Sequence, residues 1–117
     1  MDFITTHQEL RNGDFLLSKD GNFKAIFQDD GNFVIYKWAP CWHTNTANNK
    51  GTRVLLQDDN NLVMYTQDKK AVWSSVTYNT AAKSNHMRLT LTNEGHLVLE
   101  KAGDSIWSSK DSVGRKE

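Results

Sequence analysis

Five side chains in the order amide, carboxylate, amide, small apolar group and phenol occur twice at alternate positions. They are Gln28, Asp30, Asn32, Val34 and Tyr36, then Gln57, Asp59, Asn61, Val63 and Tyr65. A sugar ring offers neighbouring hydroxyls that each donate and accept, together with patches of C–H surface. Asp30 can accept, Gln28 and Asn32 can do both, and the Tyr36 phenol can do either. Val34 can lie against ring carbons. Hydrogen bonds to a charged carboxylate contribute roughly 1.5–3 kcal/mol net, against ~1 kcal/mol for neutral pairs. Water competes for every one, so a shallow site of this kind should hold a monosaccharide at around millimolar Kd. For a single copy, the alternative is that these residues decorate a turn and stay solvated. Two copies that keep all five positions, while the rest of the chain has drifted, favour function.

A third copy is altered. Thr92, Glu94, His96 and Glu100 stand where the others have Gln, Asp, Asn and Tyr, with Val98 retained, and Leu91, Leu97 and Leu99 keep the apolar positions. The third site is therefore expected to be inactive, its binding pattern lost and its structural pattern kept. Each copy is followed by a tryptophan, Trp42, Trp73 and Trp107, at offsets of 31 and 34 residues, against 29 and 35 for the motif. This is an internal threefold repeat, with units at about 10–46, 52–77 and 88–109 inside one domain spanning 1–117.

The elements that must position these residues read as β throughout. Short runs of Phe, Val, Ile, Leu and Tyr alternate with Asp, Asn and Gly clusters. Asp30-Gly31-Asn32, Asp59-Asn60-Asn61 and Glu94-Gly95-His96 read as hairpin loops. Leu10 to Leu17, followed by Asp20-Gly21-Asn22, adds another strand and turn. A three-residue loop would set Gln28 opposite Val34 with Tyr36 on the same outward face, and would turn Phe27 and Ile35 to the core. The second copy gives Gln57, Val63 and Tyr65 outward, with Leu56 and Met64 inward. No capped stretch has a 3.6-residue apolar period, so no substantial helix is predicted. Three β units, none able to bury an apolar face alone, should pack about a shared axis filled by the three tryptophans. Trp38 has no counterpart in the other units, and belongs to a site rim, an interface or a loop anchor.

Bulk properties narrow the function. The 117 residues carry 14 basic and 14 acidic side chains, a formal net charge of zero, which lacks the basic field of a nucleic-acid binder. No apolar run approaches the ~18–20 residues of a membrane helix, so no membrane insertion is expected. The start, Met1 to Thr6, has neither a basic nor an apolar signal region. Cys41 is the single cysteine, so no internal disulfide can form. These features suit a cytoplasmic fold or export by a route without a cleavable signal.

Gln-x-Asp-x-Asn-x-Val-x-Tyr, present twice, resembles the signature of the bulb-type, or monocot, mannose-binding lectin family. Trp42-His43-Thr44-Asn45-Thr46 and Trp73-Ser74-Ser75 resemble the stretch that follows each family site. The resemblance runs from about Leu10 to Ser109. It implies an all-β fold, a β-prism of type II with three four-stranded antiparallel sheets around a pseudo-threefold axis. It also implies D-mannose and mannose-rich glycans as ligands, without a cofactor. Asp30 and Asn32 would engage the axial 2-hydroxyl, Gln28 the 3-hydroxyl and Tyr36 the 4-hydroxyl, with Val34 packed on the ring. Asp59, Asn61, Gln57, Tyr65 and Val63 would repeat those roles, and the equatorial 2-hydroxyl of glucose would be poorly matched. The unpaired Cys41 and the direct start resemble the animal members of skin mucus, which recognise microbial glycans. Family members often form homodimers by exchanging C-terminal strands, and ten residues follow Trp107, enough to permit it.

Two rivals remain at this point. An enzyme would need chemistry that His7, His43, His86 and His96 do not form in any metal or triad spacing. Glu94 and Glu100 are a conceivable carboxylate pair but flank a turn in the altered repeat, and His96 with Glu94 makes no metal site by itself. A protein-interaction or cytoskeleton-associated module on the same fold, with vestigial sites, is the other rival.

Overall fold

The computed structural model describes residues 1–79 and 86–117. Among the described residues there are thirteen short strands and no helix, and every strand pair is antiparallel. The first sheet runs β3 (Phe15–Leu17), β4 (Lys24–Phe27), β5 (Phe33–Tyr36), β6 (Pro40–His43). The second runs β2 (Glu9–Arg11), β7 (Gly51–Leu56), β8 (Leu62–Thr66), β9 (Ala71–Ser74). The third runs β1 (Phe3–Thr5), β10 (Met87–Leu91), β11 (Leu97–Lys101), β12 (Asp104–Ser108). A two-residue strand, β13 (Arg115–Lys116), adds a fifth member to the second sheet by pairing with β9. The three four-stranded sheets that the family resemblance implies are present, and the short C-terminal strand is an addition to them.

Strand pairing shows why the repeat closes on itself. Directly opposed residues form one inward row in each sheet: Leu16–Ala25–Ile35–Trp42, Leu10–Val54–Met64–Trp73 and Ile4–Leu89–Leu99–Trp107. Period-2 alternation puts these side chains on one face, and they are buried apart from the half-buried Trp42. The three rows meet at the tryptophans. Their rings pack edge to face in all three pairs, with centroids 6.5, 6.0 and 6.1 Å apart, the arrangement favoured by the aromatic quadrupole.

The C-terminal segment crosses this aromatic centre. Trp42 Nε1 donates to Ser112 O at 3.2 Å and Trp73 Nε1 to Val113 O at 2.7 Å. Gly114 lies so close that a Cβ would stand 2.5 Å from Trp73. Trp107 Nε1, equally buried, has no partner among the described residues. Trp107→Phe therefore discards an unmade hydrogen bond, while Trp73→Phe discards a made one. Urea unfolding should show Trp73→Phe costing about 1 kcal/mol more than Trp107→Phe; equal costs would contradict this.

The opening of the chain differs from the strand predicted over Leu10 to Leu17. Gly13 takes φ 94°, Asp14 N donates to Arg11 O at 2.8 Å, and Asp14 Oδ2 accepts from Arg11 N at 2.8 Å. That turn splits the run into β2 and β3, which lie in different sheets. With β1 in the third, residues 3–17 supply one outer strand to every sheet, and each repeat supplies the other three. The period-2 pattern is preserved across the turn, so it could not show that the partner changes.

Candidate carbohydrate sites

The first site is built on the β4–β5 hairpin. Gly31 N donates to Gln28 O at 3.0 Å, Gln28 N to Asn32 O at 2.9 Å, and Gly31 sits at φ 87°. The loop is thus Asp29-Asp30-Gly31, a turn closed by a left-handed third residue. Gln28 consequently faces Asn32, and Val34 faces Ile26. The predicted pairing of Gln28 with Val34 is off, because the left-handed residue is Gly31 itself and the loop begins one position earlier. The face assignment holds nonetheless. Phe27 and Ile35 are fully buried in the core, and Gln28, Val34 and Tyr36 share the outer face.

On that face the side chains form a connected set. Asp30 is exposed, and its Oδ1 accepts from Asn32 N at 2.9 Å, which leaves Oδ2 outside that bond. Asn32 Oδ1 accepts from Thr44 Oγ1 at 3.1 Å and Thr46 N at 3.2 Å, which fixes the amide so that Nδ2 is the donor; one of its two N–H groups has His43 Nδ1 at 3.4 Å, and the other remains. Thr44 Oγ1 lies 2.7 Å from Thr46 Oγ1, and Thr46 Oγ1 donates to Gly31 O at 2.7 Å. Gln28 Nε2 donates to Tyr36 Oη in a short bond. The phenol accepts from within the protein, so its own proton is free for an outside acceptor. Val34 is 3% exposed and lies outside the core cluster. Cross-strand neighbours Ile26 and His43 flank it, so it forms a floor and not a wall.

The second site repeats this plan, with Ser74 in place of His43. Gln57 N donates to Asn61 O at 3.0 Å, and Asp59 Oδ1 accepts from Asn61 N at 3.1 Å. Asn61 Oδ1 accepts from Ser75 Oγ at 3.1 Å and Thr77 N at 3.2 Å. Ser75 Oγ meets Thr77 Oγ1, whose hydroxyl donates to Asn60 O. Gln57 Nε2 donates to Tyr65 Oη, and Val63, 4% exposed, faces Leu55 and Ser74. Asn60, at φ 74°, takes the left-handed place of Gly31.

The sequence does not announce the supporting residues. Thr44, Thr46, Ser75 and Thr77 orient the two site amides, and the signal is a hydroxyl two and four positions after Trp42 and after Trp73. A second set acts on Tyr65 alone. Arg53 stacks its guanidinium 5.5 Å from the Tyr65 ring centroid, and Glu9 holds Arg53 at 3.3 Å and Arg11 at 2.7 Å. The corresponding Lys24 of the first site reaches Phe15 instead, 4.4 Å from its ring.

The third repeat keeps the scaffold of this arrangement. Leu97 N donates to Ser109 Oγ at 2.8 Å, as Phe33 N does to Thr44 Oγ1 and Leu62 N to Ser75 Oγ. Thr92 N donates to His96 O at 2.9 Å, and Gly95 closes the turn at φ 84°. Here His96 N bonds Thr92 Oγ1 at 3.3 Å and not a carboxylate. Glu94 is exposed, and Val98 and Glu100 are half-buried, with Glu100 opposite Arg88. No oriented amide and no phenol stand there.

Two features lie along the β5–β6 hairpin. Trp38, at the tip of the β5–β6 loop, is 92% exposed, so of the placements considered for it the buried anchor is excluded. Cys41 is exposed as a residue, yet its Sγ donates to Ile35 O at 3.2 Å and its partial burial raises the thiol pKa, keeping it protonated at neutral pH.

One backbone position is strained. Val76, between Ser75 and Thr77, sits at φ 60°, where a β-branched residue is an outlier; its counterpart Asn45 sits at φ 59°. Val76→Asn should raise stability by about 1 kcal/mol, because the left-handed conformation costs ordinary L-residues roughly 1–2 kcal/mol and asparagine less. A denaturation midpoint unchanged or lowered would count against that.

Three sheets set as a prism around packed tryptophans, with two amide–carboxylate–phenol sets on their outer faces, define a β-prism II carbohydrate-binding protein. No family model matches the chain. The B-type lectin plumieribetin of Scorpaena plumieri is 46% identical over 114 residues, which cover 97% of this chain and 99% of that protein. A mannose-specific lectin of Aloe arborescens is 32% identical over 76% of this chain and 80% of its own. Among solved structures, a monomeric monocot mannose-binding lectin from Gastrodia elata superposes with TM-score 0.84 at 27% identity, covering 93% of this chain and 96% of that one. The mannose-specific agglutinin of snowdrop (Galanthus nivalis) bulbs, complexed with methyl α-D-mannoside, gives TM-score 0.77 at 28% identity over 87% of this chain and 91% of its own. The chain belongs to the B-type, or bulb-type, lectin family.

Proposed function

We propose that this protein is a mannose-specific lectin with two working sites per chain, one formed by Gln28, Asp30, Asn32, Val34 and Tyr36 and the other by Gln57, Asp59, Asn61, Val63 and Tyr65. The observation that carries this is the amide orientation made twice: each Asn Oδ1 is occupied by a hydroxyl and a backbone N–H, so the amide donates through Nδ2, while the carboxylate two residues before accepts from the same residue's backbone N–H through one oxygen. A donor and an acceptor fixed side by side suit one sugar hydroxyl that must accept and donate together, as the axial 2-hydroxyl of mannose can. Tyr36 and Tyr65 offer a proton to a second hydroxyl, and Gln28 and Gln57 a carbonyl and amide to a third. The mannose specificity of the Aloe arborescens relative supports the choice of hexose. Binding without turnover is the activity. We place it on mannose-rich glycans of microbial surfaces, met in mucus or another extracellular setting. Pairing of two chains would add avidity, commonly ~10²–10⁴-fold when geometry allows both to engage.

Calorimetric titration with methyl α-mannoside, with methyl α-glucoside as control, tests this. The expected result is two sites per chain at around millimolar Kd for mannoside and none for glucoside. Folded protein that gives no heat with mannoside would transfer the sites to the rival reading, a protein-interaction module.

A further inference from the structure

The two sites share a floor and a hydrogen-bond plan but differ at the rim, and the segment 75–79 carries one of the differences. Ser75 and Thr77 both contact Asn61, and Asn79 N donates to Asp59 O at 2.7 Å, so residues 75–79 wrap the second site. The residues between those contacts, Val76 and Tyr78, are 51% and 64% exposed. Asn45 and Ala47 occupy these places at the first site. An apolar residue thus stands in solvent in a backbone conformation that its branched side chain disfavours, beside a site whose sister has the comfortable residue. Strain retained in this way clusters at ligand-binding positions.

We propose that Val76 and Tyr78 form an apolar shelf on the rim of the second site that receives the C–H face of the next pyranose in a bound oligomannoside. The second site then favours a ligand at least two sugars long, while the first reads the terminal sugar alone. A pyranose carries one face of axial C–H groups that packs on a phenol ring, and tyrosine supplies that area with few torsions to immobilise. Residues 75–79 include no charged side chain, which suits a neutral glycan. Two side chains are far too little for a protein partner, whose interfaces occupy about 800 Å² per side. This shelf rests on the mannose reading above.

The test uses the side-chain amide signals of Asn32 and Asn61 in the ¹⁵N-labelled protein, which report the two sites separately. Methyl α-mannoside and the α1,2-, α1,3- and α1,6-linked dimannosides are titrated into wild type, Val76→Asn and Tyr78→Ala. The quantity read is the affinity ratio of dimannoside to monomannoside at each amide. For at least one linkage this ratio should be about fivefold to tenfold larger at Asn61 than at Asn32 in wild type. Tyr78→Ala should bring it to the first-site value, and Val76→Asn, which relieves strain and so stays folded, should lower it part of the way. Equal ratios at the two amides in wild type for all three linkages, or an undiminished Asn61 ratio in Val76→Asn/Tyr78→Ala, would overturn the shelf. A different failure, methyl α-mannoside shifting neither amide, would remove the mannose reading itself and the shelf with it.

Discussion

The double variant Asp30→Asn/Asp59→Asn is expected to lose measurable affinity for methyl α-mannoside while remaining as stable as wild type. The reason lies in the division of labour between the two oxygens of each carboxylate. One oxygen accepts from the amide two residues on, at 2.9 Å in the first site and 3.1 Å in the second, and an asparagine carbonyl can take over that bond. On the proposed reading the other oxygen accepts from the sugar, and in the variant it becomes an NH₂ group that can only donate. Beside it, Asn32 Nδ2 or Asn61 Nδ2 is also a donor, so the hydroxyl meets two donors and no acceptor. Losing a charged hydrogen bond worth roughly 1.5–3 kcal/mol weakens binding by about tenfold to 150-fold. Starting from a millimolar site, that is loss of signal in a calorimeter. Each single variant should retain one site of unchanged affinity. A double variant that still binds both mannosides would show that the carboxylates serve only the turns.

The largest stability effect is expected at Trp73. It is completely buried, touches both other tryptophans edge to face, donates to Val113 O and supports Gly114. Trp73→Ala removes the indole from the one place where all three inward rows converge, and the surrounding sheets cannot close the gap without breaking their strand pairs. Truncations of this kind cost about 3–5 kcal/mol, out of a total that for domains of this size is only about 5–15 kcal/mol. Circular dichroism and urea unfolding should show either a strongly lowered midpoint or an unfolded chain. A loss under about 1 kcal/mol would mean the aromatic centre is not the keystone described above.

Much of this was legible in the chain itself. Repetition carried the most information: the recurrence of Gln, Asp, Asn, Val and Tyr at a two-residue spacing marked the outer faces, and the tryptophan after each copy marked the centre. Alternation also sorted Phe27, Ile35, Leu56 and Met64 into the core. What alternation cannot express is which strand pairs with which. Leu10 and Leu16 show the same apolar rhythm, yet they enter different sheets because Gly13 turns the chain between them. Nor can it place a turn to the residue, since both Gly31 and Asn32 tolerate the left-handed region, and the hydrogen bonds of Gln28 decide between them. Thr44, Thr46, Ser75 and Thr77 were hidden for another reason. Each binds an amide that lies 12 to 16 positions earlier, so the relation exists only once the sheet has formed.

The outer strands drawn from residues 3–17 have a consequence for how the protein is made. During synthesis this stretch leaves the ribosome before the repeats it serves, but Phe3, Ile4 and Thr5 pair with Thr90, Leu89 and Arg88. These residues therefore wait for the third repeat, whereas β3 can pair once the first repeat has emerged and β2 once the second has. Repetition would otherwise let each unit fold as it appears, one after another. Here one segment ties all three together, so a chain stalled before the third repeat lacks one outer strand pairing and exposes a sheet edge open to intermolecular pairing. A cell producing this lectin in quantity has reason to hold nascent chains in a chaperone until the ring of sheets can close.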